Sequence, residues 1–337
     1  MVDHARALYD TPSRGSGSTN AVFVGSATLD AIAHVPALPG RDERVVASAL
    51  ALAGGGPAAT AAVAYARLGL PAWFVGTVGD DHEGEQVRLG LEAEGVNITG
   101  LEVLPGGTTG ASVITVEQVH GTRTICTRPA PPPRIRPGSP GAELLRSAAW
   151  VHVDHLGWPA LRDVELDAGV RLSLDAGNPV TGLDLSRLHL YVPTIAGLSR
   201  DLGAGRDTAI HELLQAALAA GVSTVVATRG ADGSVAADAA GVRADTPGLR
   251  VDVVSTLGAG DVFHGALLAA VVRGMSLQHA CAYAGAVAAL SCRGLDGRSA
   301  IPDHATATAH STTLHPDPRE ARMREDRTPV PSQPTTP

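Results

Sequence analysis

The sequence contains few aromatic residues: Phe, Trp and Tyr together make up 3% of its 337 positions. Because hydrophobic residues still reach 44%, we expect a sizeable core that is filled mainly by Ala, Val and Leu. Cysteine is equally rare. The three that occur, Cys126, Cys281 and Cys292, are widely separated, so neither a disulfide framework nor a zinc site is indicated. They are typical of thiols in a reducing cytoplasm.

Basic residues and long apolar runs are scarce as well. The 26 Lys and Arg residues are outnumbered by 34 Asp and Glu residues, and the net charge of −8 argues against a nucleic-acid-binding protein. Apolar runs such as residues 265–272 are too short to span a membrane. Residues 1–20 are polar and rich in Gly and Ser, which is not typical of a signal peptide. We therefore expect a cytoplasmic protein without nucleic-acid or membrane partners.

Both ends of the chain lack the apolar periodicity of folded elements. Residues 1–20 are predicted to be a disordered leader, and residues 305–337, rich in Pro, Thr, Arg and Glu, a disordered tail. Between them, residues 21–304 alternate between short apolar strands and helical segments. This alternation favours an α/β fold with a ligand cleft at the carboxyl ends of the strands.

The most informative stretch is the string STLGAGD at residues 255–261. It follows an extended apolar run, residues 249–254, and opens a helix predicted over 262–273 that Gly274 ends. Glycines at the start of a helix let an anion approach exposed backbone N–H groups, where the helix dipole adds positive potential. Asp261 follows in the first turn, where we expect it to stay ionised and to accept a proton from a hydroxyl being phosphorylated. The alternative is a plain loop-to-helix junction with a helix-start charge.

The longer string TLGAGDVFHG, at residues 256–265, resembles the C-terminal signature of the ribokinase-like (PfkB) carbohydrate kinases. Other motifs of this sequence also resemble those of the family. They occur in the family's order, and the resemblance covers residues 21–303. The resemblance implies a ribokinase-like α/β fold, in which helices flank a central, mostly parallel sheet in three Rossmann-like layers. It also implies a small β-sheet lid built from residues 32–53 and 111–127, with a hairpin turn at 120–121.

The resemblance implies an ATP-dependent carbohydrate kinase that transfers the γ-phosphoryl group to a hydroxyl of a small sugar, with Mg²⁺ accompanying ATP. It makes Asp261 the general base and the backbone of Gly258, Ala259 and Gly260 the anion hole. Two further sets of residues are implied as binding sites. The sugar would be bound by Asp30, Gly54, Gly55, Gly56 and Thr60, and the nucleotide by Thr228, Gly230 and Gly233. No residue is identified as a ligand of the metal.

Some of these sites also have support from the residues themselves. Asp30 closely follows the buried strand predicted at 21–25, where a ligand of an open α/β sheet is expected, although a turn aspartate is the alternative. The glycines before the helix predicted at 61–68 allow its first N–H groups to face sugar hydroxyls. The segment after Thr228 has a tight β-turn as its alternative interpretation.

Several positions depart from the family's pattern. Many members carry an asparagine where this chain has Thr60, so the sugar contact there must differ. Thr194 and Gly197 replace an asparagine and a glutamate that support magnesium and activation by phosphate, so that role is not carried over. Ser255 replaces an aspartate, which removes a charge from the site of the monovalent cation that several relatives bind. The sequence thus gives little support to a monovalent cation as a second cofactor.

Three other polar features have competing interpretations. A metal site at 152–155 is disfavoured, because on a strand the first and third of these residues share one face and the fourth lies on the other. The segment 175–178 resembles an Asp-x-x-Asn element that lies near substrate or phosphates in some relatives, and a turn is the alternative. Arg123, in the second lid segment, has two interpretations: a solvated arginine of the lid, which is favoured, and an arginine that reaches the substrate.

Two alternatives to an active sugar kinase stay open. A non-catalytic sugar or nucleotide sensor of the same fold is motivated by Ser255, Thr194 and Gly197. A nucleoside kinase is the other, although few aromatic residues are available to stack on a base. An oxidoreductase is set aside, because no G-x-G-x-x-G string follows the first predicted strand. The intact loop before Asp261 favours the enzyme, and the motifs are most similar to members acting on ketoses or modified fructoses.

The lid segments also predict a homodimer. Two strand-rich excursions from the core would otherwise leave an exposed sheet surface. A second copy of the chain is therefore the expected cover for this surface.

Overall fold

The computed structural model describes residues 20–119, 122–205 and 207–314, which contain thirteen strands and nine α-helices. The strands are β1 (Ala21–Val24), β2 (Thr28–Val35), β3 (Ala49–Gly55), β4 (Ala72–Gly79), β5 (Asn97–Leu104), β6 (Gly110–Glu117), β7 (Arg123–Arg128), β8 (Trp150–Val153), β9 (Arg171–Asp175), β10 (Leu190–Val192), β11 (Thr224–Thr228), β12 (Ser234–Asp238) and β13 (Arg243–Thr246). The helices are α1 (Pro57–Arg67), α2 (His82–Ala93), α3 (Pro140–Arg146), α4 (Gly157–Ala160), α5 (Ile195–Asp201), α6 (Ile210–Ala219), α7 (Ala259–Val272), α8 (Leu277–Ser291) and α9 (His304–Leu314).

Nine of the described strands form one sheet in the order β13-β12-β11-β10-β9-β8-β1-β4-β5. The pairs from β11 to β5 are parallel, whereas β12 and β13 are antiparallel at one end. A parallel sheet needs cover on both faces. In β1, Ala21 and Phe23 belong to one hydrophobic core, and Val22 and Val24 belong to the other. The predicted mostly parallel sheet with helices on both faces is confirmed.

Helices cover the two faces as separate groups. Side chains of α1, α2, α7, α8 and α9 build one core, whereas α3, α4, α5 and α6 build the other. Small residues let the helices approach closely: a Cβ at Gly265 would lie 2.2 Å from the carbonyl oxygen of Ala61. The contact between α7 and α1 therefore requires glycine. No helix in this described part of the chain is long and apolar enough to cross a membrane.

A second sheet lies apart from the first and, among the described strands, contains β3, β2, β6 and β7 in that order. β2 pairs antiparallel with β3 and parallel with β6, and β6 pairs antiparallel with β7. The buried side chains of one face contact Leu257 and Leu295, in the loops beside α7 and α8; they are Ile32, Ile114 and Val116. This sheet confirms the predicted lid. The turn predicted at 120–121 lies outside the described residues.

The structure corrects the beginning of the predicted disordered tail. The first residues of 305–337 belong to α9, which contacts α8 and buries Ala307 completely. The sequence did not indicate this helix because it is rich in Thr and His and has almost no apolar periodicity; its packing on α8 stabilises it instead. Residues 315–337 lie outside the described residues, as does the predicted leader 1–20 except for Asn20.

Two predicted helix boundaries are shifted, and one predicted extended run is not a strand. The helix after the STLGAGD string begins at Ala259 rather than at 262, and the helix after the triple glycine begins at Pro57 rather than at 61. In both helices the first turn consists mainly of small residues, which carry no clear apolar periodicity. The run predicted to be extended at 249–254 is a connector and joins neither sheet.

Candidate active site

Polar residues gather at the carboxyl edge of the parallel strands. Asp154 directly follows β8, Asp175 ends β9, and Thr228 ends β11. Thr194, after β10, is joined to Thr228 by a parallel bridge. Asp261, near the start of α7, is close enough to Asp154 and Asp175 for their charges to act on it. This edge is where ligands of open α/β sheets bind.

The first turn of α7 contains the residues predicted to form the anion hole. Gly258 caps the helix in the left-handed conformation, with φ 70°, and a Cβ there would lie 2.9 Å from the Cα of Gly297. Ala259, Gly260 and Asp261 are the first helical residues, whose N–H groups have no partner within the helix. A Cβ built on Gly260 meets no atom within 4 Å. Among the predicted anion-hole residues, Gly260 thus has open space beside it at a helix N-terminus, a position that suits a phosphate.

The half-buried carboxyl of Asp261 has a pKa well above its usual range. Burial is the largest cause, and the negative charges of Asp175 and Asp154 add to it, whereas the positive charges of Arg298 and Arg123 oppose it. A carboxylate with a raised pKa is a stronger base, which suits acceptance of a proton from a hydroxyl.

Asp30 enters the site from the lid. It does not lie in a turn but in β2, where it is 7% exposed and its Oδ1 accepts a hydrogen bond from Thr28 Oγ1 at 2.9 Å. Burial raises the pKa of Asp30, while hydrogen bonds from Thr28 and Ser112 and the charge of Arg298 oppose the rise. A Cβ at Gly55 would lie 2.0 Å from Asp30 Oδ2. Gly55 therefore makes room for this carboxylate.

The structure adds Arg298, which reasoning from the sequence did not select. Its side chain is 7% exposed and donates from Nε to Thr60 Oγ1 at 3.2 Å and from Nη2 to the Gly55 carbonyl oxygen at 2.9 Å. Burial lowers the pKa of Arg298 to about 10, and the carboxylates of Asp30 and Asp261 are among the charges that oppose this. Arg298 thus lies within electrostatic reach of both predicted functional aspartates. The departure from the family pattern at Thr60 was the available signal.

The triple glycine leads from the lid into α1. Gly54 and Gly55 end β3, and Gly56 caps α1 with φ 90°. A Cβ on Gly54 would lie 2.3 Å from Nη1 of Arg298, and one on Gly56 would lie 2.4 Å from the carbonyl oxygen of Ser26. Gly54 and Gly55 therefore lie beside Arg298, whereas Gly56 lies against the loop after β1.

The turn predicted to bind the nucleotide lies at the same sheet edge as the anion site. Thr228 ends β11 beside Thr194. Gly230 and Gly233 have φ values of 60° and 91°, and a Cβ at Gly233 would lie 2.0 Å from the carbonyl oxygen of Thr246. The tight turn proposed as the alternative interpretation is therefore present, and its glycines are required by its geometry.

The residues that depart from the family pattern satisfy local backbone groups. Thr194 Oγ1 accepts a hydrogen bond from the Gly197 N–H at 3.0 Å and so caps α5. A Cβ at Gly197 would lie 3.0 Å from the carbonyl oxygen of Ala176. Ser255 is 1% exposed, and its Oγ accepts a hydrogen bond from the Leu257 N–H at 3.1 Å. These positions supply no carboxylate to the site.

The segment 152–155 has a structural role centred on Asp154. The buried Asp154 carboxylate accepts hydrogen bonds from the N–H and the hydroxyl of Ser26, both at 2.8 Å. It also accepts from the N–H groups of Leu156 at 2.8 Å and Gly157 at 2.9 Å. Asp154 thereby ties the loop after β1 to the end of β8. A carboxylate engaged by this many donors has little capacity left for a metal ion.

Asp175 connects the site to a buried histidine. Its Oδ1 accepts a hydrogen bond from the Gly177 N–H at 2.8 Å, which forms the turn considered at 175–178. Its Oδ2 lies 3.3 Å from Nδ1 of His264, whose Nε2 lies 2.9 Å from the carbonyl oxygen of Val192. Because a carbonyl only accepts, Nε2 carries a hydrogen. His264 lies one turn after Asp261 in α7, so Asp175 contacts the same helix that carries Asp261.

Arg123 reaches from β7 to the loop before α7. Its Nη1 donates a hydrogen bond to Thr256 Oγ1 at 2.8 Å, and its charge acts on Asp261. Arg123 is exposed, as predicted for a solvated lid arginine, but it also has a hydrogen-bond partner in the loop before α7. Through this side chain the lid contacts the loop that carries the anion site.

Comparison with known proteins finds relatives that extend over most of the chain. The sequence pattern of the pfkB family carbohydrate kinases matches residues 18–135 and 186–304, which is more than half of the chain. An ATP-dependent ribose-1-phosphate kinase of Halopiger xanaduensis is 27% identical over 281 residues, 82% of this chain and 93% of the relative. A ribokinase of Arabidopsis thaliana is 27% identical over 303 residues, 84% of this chain and 78% of the relative.

The fold also has relatives among solved structures. The structure of Arabidopsis thaliana ribokinase complexed with ribose and ATP is similar to this one with a TM-score of 0.72 at 25% sequence identity. The similarity covers 87% of this chain and 98% of that chain. It therefore extends over the whole fold and is not limited to single motifs.

Proposed function

Because the chain belongs to the PfkB family of carbohydrate kinases, we propose that it transfers the γ-phosphoryl group of ATP to a hydroxyl of a small sugar. The enzyme is a phosphotransferase with an alcohol group as acceptor. The sugar would lie between Asp30 of the lid and Asp261 of α7. The observation that carries this proposal is the position of Asp261 in the same helical turn as the backbone anion site.

In the proposed reaction, the Asp261 carboxylate accepts the proton of the acceptor hydroxyl. The hydroxyl oxygen forms a bond to the γ-phosphorus, the bond from that phosphorus to the β–γ bridging oxygen breaks, and ADP leaves with the electron pair. The backbone at Gly258, Ala259 and Gly260 stabilises the negative charge on the transferring group. The raised pKa of Asp261 favours the proton transfer.

We place the nucleotide along the sheet edge between α7 and the turn after β11, beside Thr228, Gly230 and Gly233. The ATP bound in the Arabidopsis ribokinase structure supports a nucleotide site in this fold. Mg²⁺, when bound with ATP, neutralises charge on the phosphates. No cluster of three or more His, Cys, Asp and Glu side chains in the described ranges could hold a metal on its own. Mg²⁺ would therefore be bound mainly through the nucleotide phosphates and water, and no residue is assigned as a ligand.

The sugar is proposed to lie against Asp30 and the triple glycine, Gly54, Gly55 and Gly56. Thr60 contributes indirectly, because its hydroxyl accepts a hydrogen bond from Arg298. The names of the two relatives point to ribose and ribose 1-phosphate as acceptors. Pentoses therefore belong in the first substrate test beside the ketoses that the motifs favour.

A substrate panel tests the proposed function. Pentoses, ribose 1-phosphate, ketoses, modified fructoses and nucleosides are each supplied with ATP and Mg²⁺, and formation of ADP and of the phosphorylated product is measured. We expect at least one sugar to support turnover far above the rate without acceptor. Turnover with nucleosides alone would replace the sugar by a nucleoside. Binding of ATP or a sugar without turnover would favour the non-catalytic sensor.

We also propose that the outer face of the lid pairs two copies of the chain. Leu50, Leu52 and Val113 are 79%, 73% and 61% exposed. The strand register places Ala31 of β2 opposite both Leu52 and Val113, so an apolar row crosses three strands on this face. An exposed apolar patch of this kind is typical of a protein contact surface. A second lid presents the same row, which makes a twofold contact self-complementary.

A further inference from the structure

A positive charge is built into the proposed sugar site. The guanidinium of Arg298 is buried there and is held by Thr60 Oγ1 and by the carbonyl oxygen of Gly55. Arginine carries more N–H donors than these two hydrogen bonds use. The side chain therefore keeps donors for a ligand while its position is fixed.

The loop that carries Arg298 is held in place from two sides. The Asp296 carboxylate accepts hydrogen bonds from the N–H groups of Arg298 at 2.7 Å and Ser299 at 2.6 Å. Arg67 of α1 donates to the carbonyl oxygen of Arg298 at 2.5 Å and is itself paired with Glu94 at 2.6 Å. These contacts fix the backbone on both sides of the Arg298 side chain. The guanidinium is thus positioned before a ligand binds, which lowers the entropic cost of binding.

Two adjacent glycines seat this cation beside the lid carboxylate. A Cβ at Gly54 would lie 2.3 Å from Arg298 Nη1, and a Cβ at Gly55 would lie 2.0 Å from Asp30 Oδ2. Both glycines lie at the end of β3. The guanidinium and the carboxylate are close enough for their charges to act on each other, so each lowers the cost of burying the other.

We propose that Arg298 and Asp30 recognise two neighbouring oxygens of the acceptor sugar, with Arg298 as a specificity-determining residue. Asp30 accepts a hydrogen bond from one sugar hydroxyl, and Arg298 donates to the oxygen beside it. The substrate is then a polyhydroxylated sugar that presents a donor and an acceptor side by side. Thr60 is small enough to leave space for the guanidinium and holds it through its hydroxyl, which explains how this chain functions without the family's asparagine. The inference rests on the proposed sugar kinase activity.

Substitution of Arg298 combined with deoxy sugars tests this inference. Arg298→Gln removes the charge and the forked donors, so we expect the KM of the best sugar to rise about 10- to 100-fold, with the KM of ATP nearly unchanged. One deoxy analogue of this sugar lacks the oxygen that faces Arg298. In the parent, its KM should exceed that of the full sugar by a similar factor. Arg298→Gln should no longer distinguish this analogue from the full sugar. Arg293→Gln, an exposed arginine of the same loop, is the matched control.

The deoxy comparison separates recognition from a structural role. A merely structural arginine would weaken all sugars alike, and the penalty for each deoxy analogue would persist in Arg298→Gln; that result overturns the proposal, as does an unchanged KM. If Arg298→Gln does not fold, Arg298→Lys, which keeps the charge but loses the fork, is compared in the same way. Calorimetric titration of the sugar without ATP measures sugar binding separately from turnover. It therefore distinguishes a failure of the proposed recognition by Arg298 from a failure of the proposed kinase activity. Sugar binding that depends on Arg298 without turnover would contradict the kinase activity and support the recognition.

Discussion

The carboxylate of Asp175 lies close enough to Asp261 for its charge to raise the pKa of Asp261. Asp175 is itself held 3.3 Å from Nδ1 of His264, one turn further along the helix that carries Asp261. The basicity of Asp261 therefore depends on a neighbouring strand as well as on its burial in α7.

This relationship predicts the pH dependence of the reaction. The base must be unprotonated, so kcat/KM should fall as the pH falls through the raised pKa of Asp261, at a higher pH than an ordinary aspartate would give. Asp175→Asn removes one of the charges that raise this pKa and should move the acid limb of the profile to lower pH. The shift should be partial, because the burial of Asp261 still raises its pKa. Asp163→Asn, an exposed aspartate, is the control. An acid limb at the same pH in Asp175→Asn and in the parent would contradict the coupling.

A second prediction concerns the contact between lid and catalytic loop. Arg123→Gln removes the hydrogen bond to Thr256 and a positive charge near Asp261, so the KM of the sugar should rise roughly three- to tenfold and the acid limb should move to higher pH. Thr256→Val removes the bond but keeps the charge, and should raise the KM without moving the limb. Arg41→Gln, an exposed arginine of the first lid segment, controls for charge in general. Parent-like kinetics in Arg123→Gln would show that the contact has no role in catalysis.

The lid face predicts the oligomeric state. Leu52→Asp places a charge in the centre of the exposed apolar row, so the proposed dimer should dissociate while the fold is kept, because the side chain is already 73% exposed. Sedimentation at micromolar concentration should give a dimer for the parent and a monomer for the variant. Leu89→Asp, at a 49% exposed leucine of α2, is the control and should stay dimeric. A monomeric parent would sink the proposal.

The corrected C-terminal boundary predicts two different truncations. A chain that ends at Leu314 keeps α9 and should melt at nearly the temperature of the parent. A chain that ends at Asp303 loses α9, which exposes the core around Ala307 and removes the hydrogen-bond contact between Tyr283 and His304. Its melting temperature should fall by at least a few degrees, given about 2–4 °C per kcal/mol for a domain of this size class. Equal melting temperatures for both truncations would show that α9 adds nothing to stability.

The sequence predicted the main features of the fold for a definite reason. The apolar strands and helices are short, alternate regularly, and end in glycine or acidic residues, so an α/β fold and the helix after the STLGAGD string were recognisable from the residues. The mostly parallel sheet and the lid were implied by the resemblance to the ribokinase-like kinases. Asp30 was harder to place, because β2 begins directly after the short loop that follows β1. The sequence placed Asp30 in the segment that follows the first strand, with a turn as the alternative, whereas the structure places it in β2.

The features that the sequence did not predict depend on contacts between distant parts of the chain. Arg298 is held by residues of β3 and α1, more than two hundred positions earlier in the sequence. The pKa of Asp261 depends on the strand ends at Asp154 and Asp175. Local pattern carries no information on such long-range neighbours, and neither periodicity nor composition would have indicated them.

The most direct test of the central claim is the turnover of Asp261→Asn with the sugar that the panel identifies. This change keeps the size of the side chain and removes the proton acceptor, so kcat should fall by about 10²–10⁴-fold, whereas the Kd values of ATP and sugar should change far less. Asp252→Asn, an exposed aspartate of the connector before the motif, should react like the parent. If Asp261→Asn turns over as fast as the parent, Asp261 is not the base and the proposed mechanism is wrong.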